Sequence, residues 1–171
     1  MGLNFLAIAV AALIPNILGM IWYNKNLFGK LWTAETGQSM EPEAMKGKLA
    51  KIMIVSLLMS FLVALALNPM VIHQMGIGSL LQGNAEAEAA MKAGTATLDV
   101  TVNGKAMNVM DNFRTFKHGA FHGVLYGLFL ILPITAIGAM YENRSWKYSL
   151  MTAGYWIVSM ALMGGVISAW K

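Results

Sequence analysis

Cysteine is absent from the 171 residues. Its absence excludes a disulfide framework, a thiolate nucleophile and any Cys-held metal or iron–sulfur centre. Charge is scarce as well. Asp, Glu, Lys and Arg make up 12% of the chain, where a soluble domain carries about 25%. So few charges cannot keep a surface in water unless much of it faces lipid, and 57% of the residues are hydrophobic with a mean hydropathy of +0.59. Catalytic signatures are missing too: no Walker lysine loop, Gly-x-Ser-x-Gly elbow, dinucleotide fingerprint or His-Glu-x-x-His motif occurs. Neither an enzyme activity nor a cofactor is therefore expected. The net charge of +4 comes from basic residues flanking apolar runs. That pattern suits membrane orientation and anionic headgroups, not nucleic acid.

What is present is four long apolar stretches: residues 3–23, 50–74, 116–141 and 148–170. Each holds about 20 residues or more, enough to cross a hydrocarbon core of roughly 30 Å as a helix. Helices are required because lipid offers no partner for a free backbone group. The expected fold is an all-α membrane protein, a single four-helix transmembrane bundle over 1–171. Trp22, Tyr23, Tyr141, Trp146, Tyr148 and Trp170 mark the span ends, as interfacial aromatics do. The first stretch lacks a basic leader and a small-residue cleavage site, so it reads as a retained helix.

Basic residues give the orientation. Lys25, Lys30, Lys46, Lys48 and Lys51 lie in or beside the first connection, and Arg144 and Lys147 in the third. Lys92, Lys105, Arg114, Lys117 and Lys171 fall on the other side, most of them around a long loop where the positive-inside rule is weaker. Loops 24–49 and 142–147 are expected in the cytoplasm. Both termini and loop 75–115 then face the periplasm of a double-membraned bacterium, with the bundle in its inner (cell) membrane.

The connections also have structure. Glu41-Pro42-Glu43 reads as a helix start. Asn84 to Met91 is rich in Ala and Glu and helix-prone. Alternation around Asn103-Gly104 predicts a β-hairpin. Pro15, Pro69 and Pro133 interrupt the first three spans, each freeing a carbonyl and favouring a kink. Asn16 and Asn68 stand beside two of them, able to repair those bonds or reach another helix.

Three patterns are candidates for function. His118 and His122 share one helix face, four residues apart, and the topology brings His73 to the same interface. Neutral imidazoles so placed suit zinc, copper or haem, and Met70 and Met75 near His73 suit cuprous copper. Against this stands the commoner role of interfacial histidines, which bond headgroups, water or carbonyls. Gly119, Gly123 and Gly127 form a double GxxxG stripe, with Ala161, Gly165 and Ala169 as a comparable stripe on the fourth helix. Small residues let helices approach closely, within one chain or between chains. Asp111 and Arg114 are placed for an interfacial ion pair. The 15 methionines read as gap fillers.

Two stretches carry a family resemblance. One is Gly19-Met20-Ile21-Trp22-Tyr23 with Leu27-Phe28-Gly29-Lys30 and Trp32. The other is Tyr141-Glu142-Asn143-Arg144 with Gly154-Tyr155, Met163-Gly164-Gly165-Val166-Ile167 and Trp170. Together they resemble the domain-of-unknown-function 1761 family of small bacterial membrane proteins. The second helix and central loop match only in hydropathy, and the central hairpin departs from a short connection associated with the family. The resemblance implies a four-helix membrane protein and no activity. The expected function is a non-catalytic accessory or structural subunit, packing against other membrane subunits or into a homo-oligomer within the lipid bilayer. A small oligomeric transporter or channel comes second, and a metal- or haem-binding protein using His73, His118 and His122 third.

Overall fold

The computed structural model describes residues 3–38 and 45–171; the helix start expected at Glu41-Pro42-Glu43 lies outside them. Four helices among the described residues are long and apolar enough to cross a membrane. The first is α1 (Phe5–Trp22), capped by the Asn4 side chain on the Ala7 N–H. A short α2 (Gly29–Thr36) follows, closed by Gly37 in the left-handed region. The second span is α3 (Leu49–Val71). Outside the spans come α4 (Gln74–Leu80), α5 (Ala85–Ala93), β1 (Asp99–Val102) and β2 (Lys105–Asn108). The third span joins α6 (Phe116–Tyr126) and α7 (Leu132–Tyr141) through one π turn, Gly127–Ile131. The fourth is α8 (Trp146–Ala169), capped by Ser145 on Tyr148.

The spans run up and down. Asn4, Ile72, Arg114 and Trp170 line one cavity, so both chain ends and the central segment share one end of the bundle. At the opposite end α2 meets the α7–α8 turn: the Ser145 N–H donates to Glu35 Oε2 (3.1 Å), the Ser145 hydroxyl bonds Oε1, and Arg144 donates to the Glu35 carbonyl. The fourth span is the most enclosed and the second the least. The core where α1, α3 and α8 meet is built from Ile8, Ala11, Ala64, Leu67, Val71, Met163 and Ile167. Side chains such as Phe5, Leu6, Ile54, Leu58, Phe129, Ile134 and Met140 remain exposed. On a soluble protein such a surface would aggregate; here it is the face a bilayer covers.

Pro15 and Pro133 each have a local resolution. The Ser56 hydroxyl donates to Asn16 Oδ1, joining α3 to α1 just after Pro15, and the Tyr155 hydroxyl donates to the Pro15 carbonyl at 2.8 Å. The Pro133 ring carries no N–H, and the chain widens ahead of it: Leu132 N bonds Gly127 O, five residues back. Thr135 Oγ1 then donates to Ile131 O at 2.9 Å. The second helix does not run to residue 74 as expected. It ends at Val71, the chain bends at Ile72 (φ −114°, ψ 89°), and α4 begins at Gln74. That bend buries the Gln74 side chain, whose amide donates to the carbonyls of Val109 (2.9 Å) and Asn112 (2.8 Å).

The hairpin forms in the register the sequence predicts. Val102 pairs with Lys105 and Asp99 with Asn108. Asn103 (φ 50°) and Gly104 (φ 76°) make the turn, and these are the residue types that tolerate two successive positive φ values.

Candidate metal centre

The two ligand-bearing segments are set by the elements just described. Thr115 caps α6 by accepting the His118 N–H, which fixes the first turn. One helical turn then separates His118 from His122 and leaves both rings on one face. His73 comes from the bend between α3 and α4. The three rings converge. His73 Nε2 lies 3.1 Å from His122 Nε2 and 3.1 Å from His118 Nε2, and the three residues each present a ring nitrogen within 4.8 Å of the others.

This geometry decides what the cluster can do. A neutral imidazole nitrogen carries either one proton or one lone pair. The single Nε2 of His73 therefore cannot make two independent direct hydrogen bonds to its two neighbours. Nitrogens that gather lone pairs at one point suit a cation. In a tetrahedral zinc centre the Zn–N bonds of about 2.0–2.1 Å place ligand nitrogens roughly 3.3 Å apart, close to the spacing found here. Three imidazoles without thiolate or carboxylate suit zinc, copper or nickel and leave a fourth position open. Among the described residues, no Asp or Glu joins the cluster.

Aromatic rings flank it. Phe113 stacks on His118 with ring centroids 5.1 Å apart, and Phe121 meets His122 edge-on at 5.7 Å. Phe113 sits at φ 61°, a region bulky L-residues avoid. Strain of this kind gathers at functional sites. No sequence pattern singles out Phe113. Nor does one single out Gln74 or Thr115, although a threonine just ahead of an apolar run is a helix-start signal. His73 is exposed, while His118 and His122 are half-buried. Met70 and Met75 pack against the apolar core and act there as fillers.

The glycine stripe meets the fourth span. A Cβ on Gly119 would collide with the Gly164 carbonyl, one on Gly123 with the Met160 carbonyl, and one on Gly127 with Ile157. The chain belongs to the DUF1761 family. A family model described as a protein of unknown function (DUF1761) matches residues 6–168, so membership extends through the second helix and the central segment. No curated protein and no solved structure matches the chain.

One expectation is narrowed and one corrected in this DUF1761 protein. Of the comparable stripe on α8, Ala161 and Gly165 meet the third span, and Gly164 and Ser168 join them where Ala169 does not. Gly119 packs on Gly164 and Ser168, Ala161 is touched at its Cα, Gly165 receives the Phe116 ring, and Ala169 is exposed. Opposite Gly119 and Gly123 the nearest atoms are the carbonyls of Gly164 and Met160, and opposite Gly127 they belong to Ile157. Arg114 forms no salt bridge with Asp111. Its Nε donates to the Ser168 carbonyl at 2.9 Å and its Nη2 to that of Trp170, satisfying acceptors that the end of α8 leaves without helical partners.

Proposed function

We propose that this protein is a multi-pass membrane protein that binds a transition-metal ion through His73, His118 and His122. The observation that carries the reading is the convergence of three Nε2 atoms, two pairs of them 3.1 Å apart, from segments 45 residues apart in sequence. With the lysine-rich connections inside, the ion would face the extracytoplasmic side. The cluster holds no carboxylate to serve as a general base, so the role proposed is binding or carriage of the ion, not hydrolysis.

This order reverses the ranking that composition suggests. The glycine stripe that favours a subunit is met by α8 of the same chain. Asn16, a polar side chain beside the proline of the first span, accepts from the Ser56 hydroxyl. Neither feature is left over for a partner or a permeant, whereas the imidazoles are.

Titration of Zn²⁺ into the full chain in lipid nanodiscs tests the proposal by calorimetry. One saturable equivalent per chain at neutral pH is expected, weakened at least about tenfold by His118→Ala or His73→Ala, as loss of a ligand should do at least as much as loss of its supporting partner. Absence of saturable binding, or equal binding by the wild type and both variants, would overturn it.

A further inference from the structure

The three imidazoles stand at the two ends of one segment. His73 lies where the chain leaves the second span, and His118 and His122 where it begins the third. Between them, α4, α5 and the hairpin form a cap outside the spans. The cap is lightly held. Among the described elements, α4 packs on the helix it follows, the two strands pack on each other, and α5 has no extensive contact with a spanning helix. Both strands are exposed along their whole length and α5 buries no residue. Such a hairpin and a helix of nine residues are marginal by themselves. The protein ties at the base include the two hydrogen bonds of Gln74, the grip of Arg114 on the end of α8 and the Ser168 hydroxyl on the Phe113 carbonyl.

We infer that an ion held by His73, His118 and His122 is a clasp that closes this cap at its base, so that ion occupancy sets the order of residues 74–115. The inference rests on the metal-binding reading above. A link between the ends of a segment removes most of the conformations open to its loosened form, and one ion bonded to both ends provides that link. The consequence reaches a second feature. A cavity of about 370 Å³ lies between α4, α5 and residues 95–98, lined by Leu81, Ala87, Met91, Leu98 and Met110, with Gln74 in its wall. Gln74 adjoins His73 in the chain, so fixing one ring also fixes that wall.

Hydrogen exchange read by mass spectrometry on the full chain in lipid nanodiscs, with Zn²⁺ or with EDTA, tests the clasp. Zn²⁺ is expected to slow amide exchange across 74–115 roughly ten- to thousandfold, the range a cross-link closing a loop of this length can give. Exchange in α1 and α8 should stay as it was, and His118→Ala should abolish the effect. A second variant dispenses with the ion: His73→Cys with His118→Cys, joined by a short bis-maleimide in this otherwise cysteine-free chain, should protect the same residues. If Zn²⁺ binds by calorimetry while exchange in the cap is unchanged, and the joined variant is equally unprotected, the clasp is wrong and the metal site stands. If no Zn²⁺ binds, the site itself fails and the clasp with it.

Discussion

Single positions in this protein divide into those with no spare volume and those with plenty. Gly119 and Gly123 belong to the first group, because an added methyl would land on a carbonyl of α8. Backbone cannot rotate aside as a side chain can, so Gly119→Ala or Gly123→Ala should destabilise the chain by about 1–3 kcal/mol or more. Gly78→Ala is the control, since nothing lies within 4 Å of the added atom, and should stay within about 0.5 kcal/mol. Thermal unfolding in one detergent compares all three; equal melting temperatures would show that the helices do not meet at these glycines. The glycine row was legible in the sequence because GxxxG spacing is a backbone property. Its counterpart was legible only in part: Ala161 and Gly165 meet the third span, but nothing in their spacing reveals that Gly164 and Ser168 face Gly119.

Among the elements, the docking of α2 on the start of α8 has a pH signature. The Ser145 hydroxyl and N–H bond the Glu35 carboxylate and hold its pKa below the usual glutamate value, with Arg144 and Lys147 adding to the effect. A lowered folded-state pKa stabilises above the unfolded value and loses that contribution as pH falls through the folded one. The melting temperature of the wild type should therefore exceed that of Glu35→Gln near neutral pH. The gap should close as pH falls below roughly 4. A gap constant across that window would mean the carboxylate charge plays no part. Turn chemistry made other elements readable. Asn103-Gly104 predicted the hairpin, and helix propensity in the Ala- and Glu-rich run from Asn84 to Met91 predicted α5. The bend at Ile72 was hidden, because the apolar run continues past it; what selects it is the burial of Gln74 against distant carbonyls.

For the whole molecule, hydropathy located all four spans, since lipid permits few alternatives to an apolar helix. It also brought His73 to the same end as His118 and His122. It left open whether their rings would meet, because that depends on the rotation of α6 about its axis. The glycines set this rotation by pressing one face onto α8. The imidazoles stand beside that face, one turn apart, and meet His73 where the chain bends. The most direct test of the resulting metal centre is X-ray absorption at the zinc edge on the Zn²⁺-loaded chain in lipid. The account predicts three imidazole nitrogens at about 2.0–2.1 Å with one further light ligand, falling to two imidazoles in His122→Ala. A first shell of oxygen alone, or one unaffected by that substitution, would contradict it.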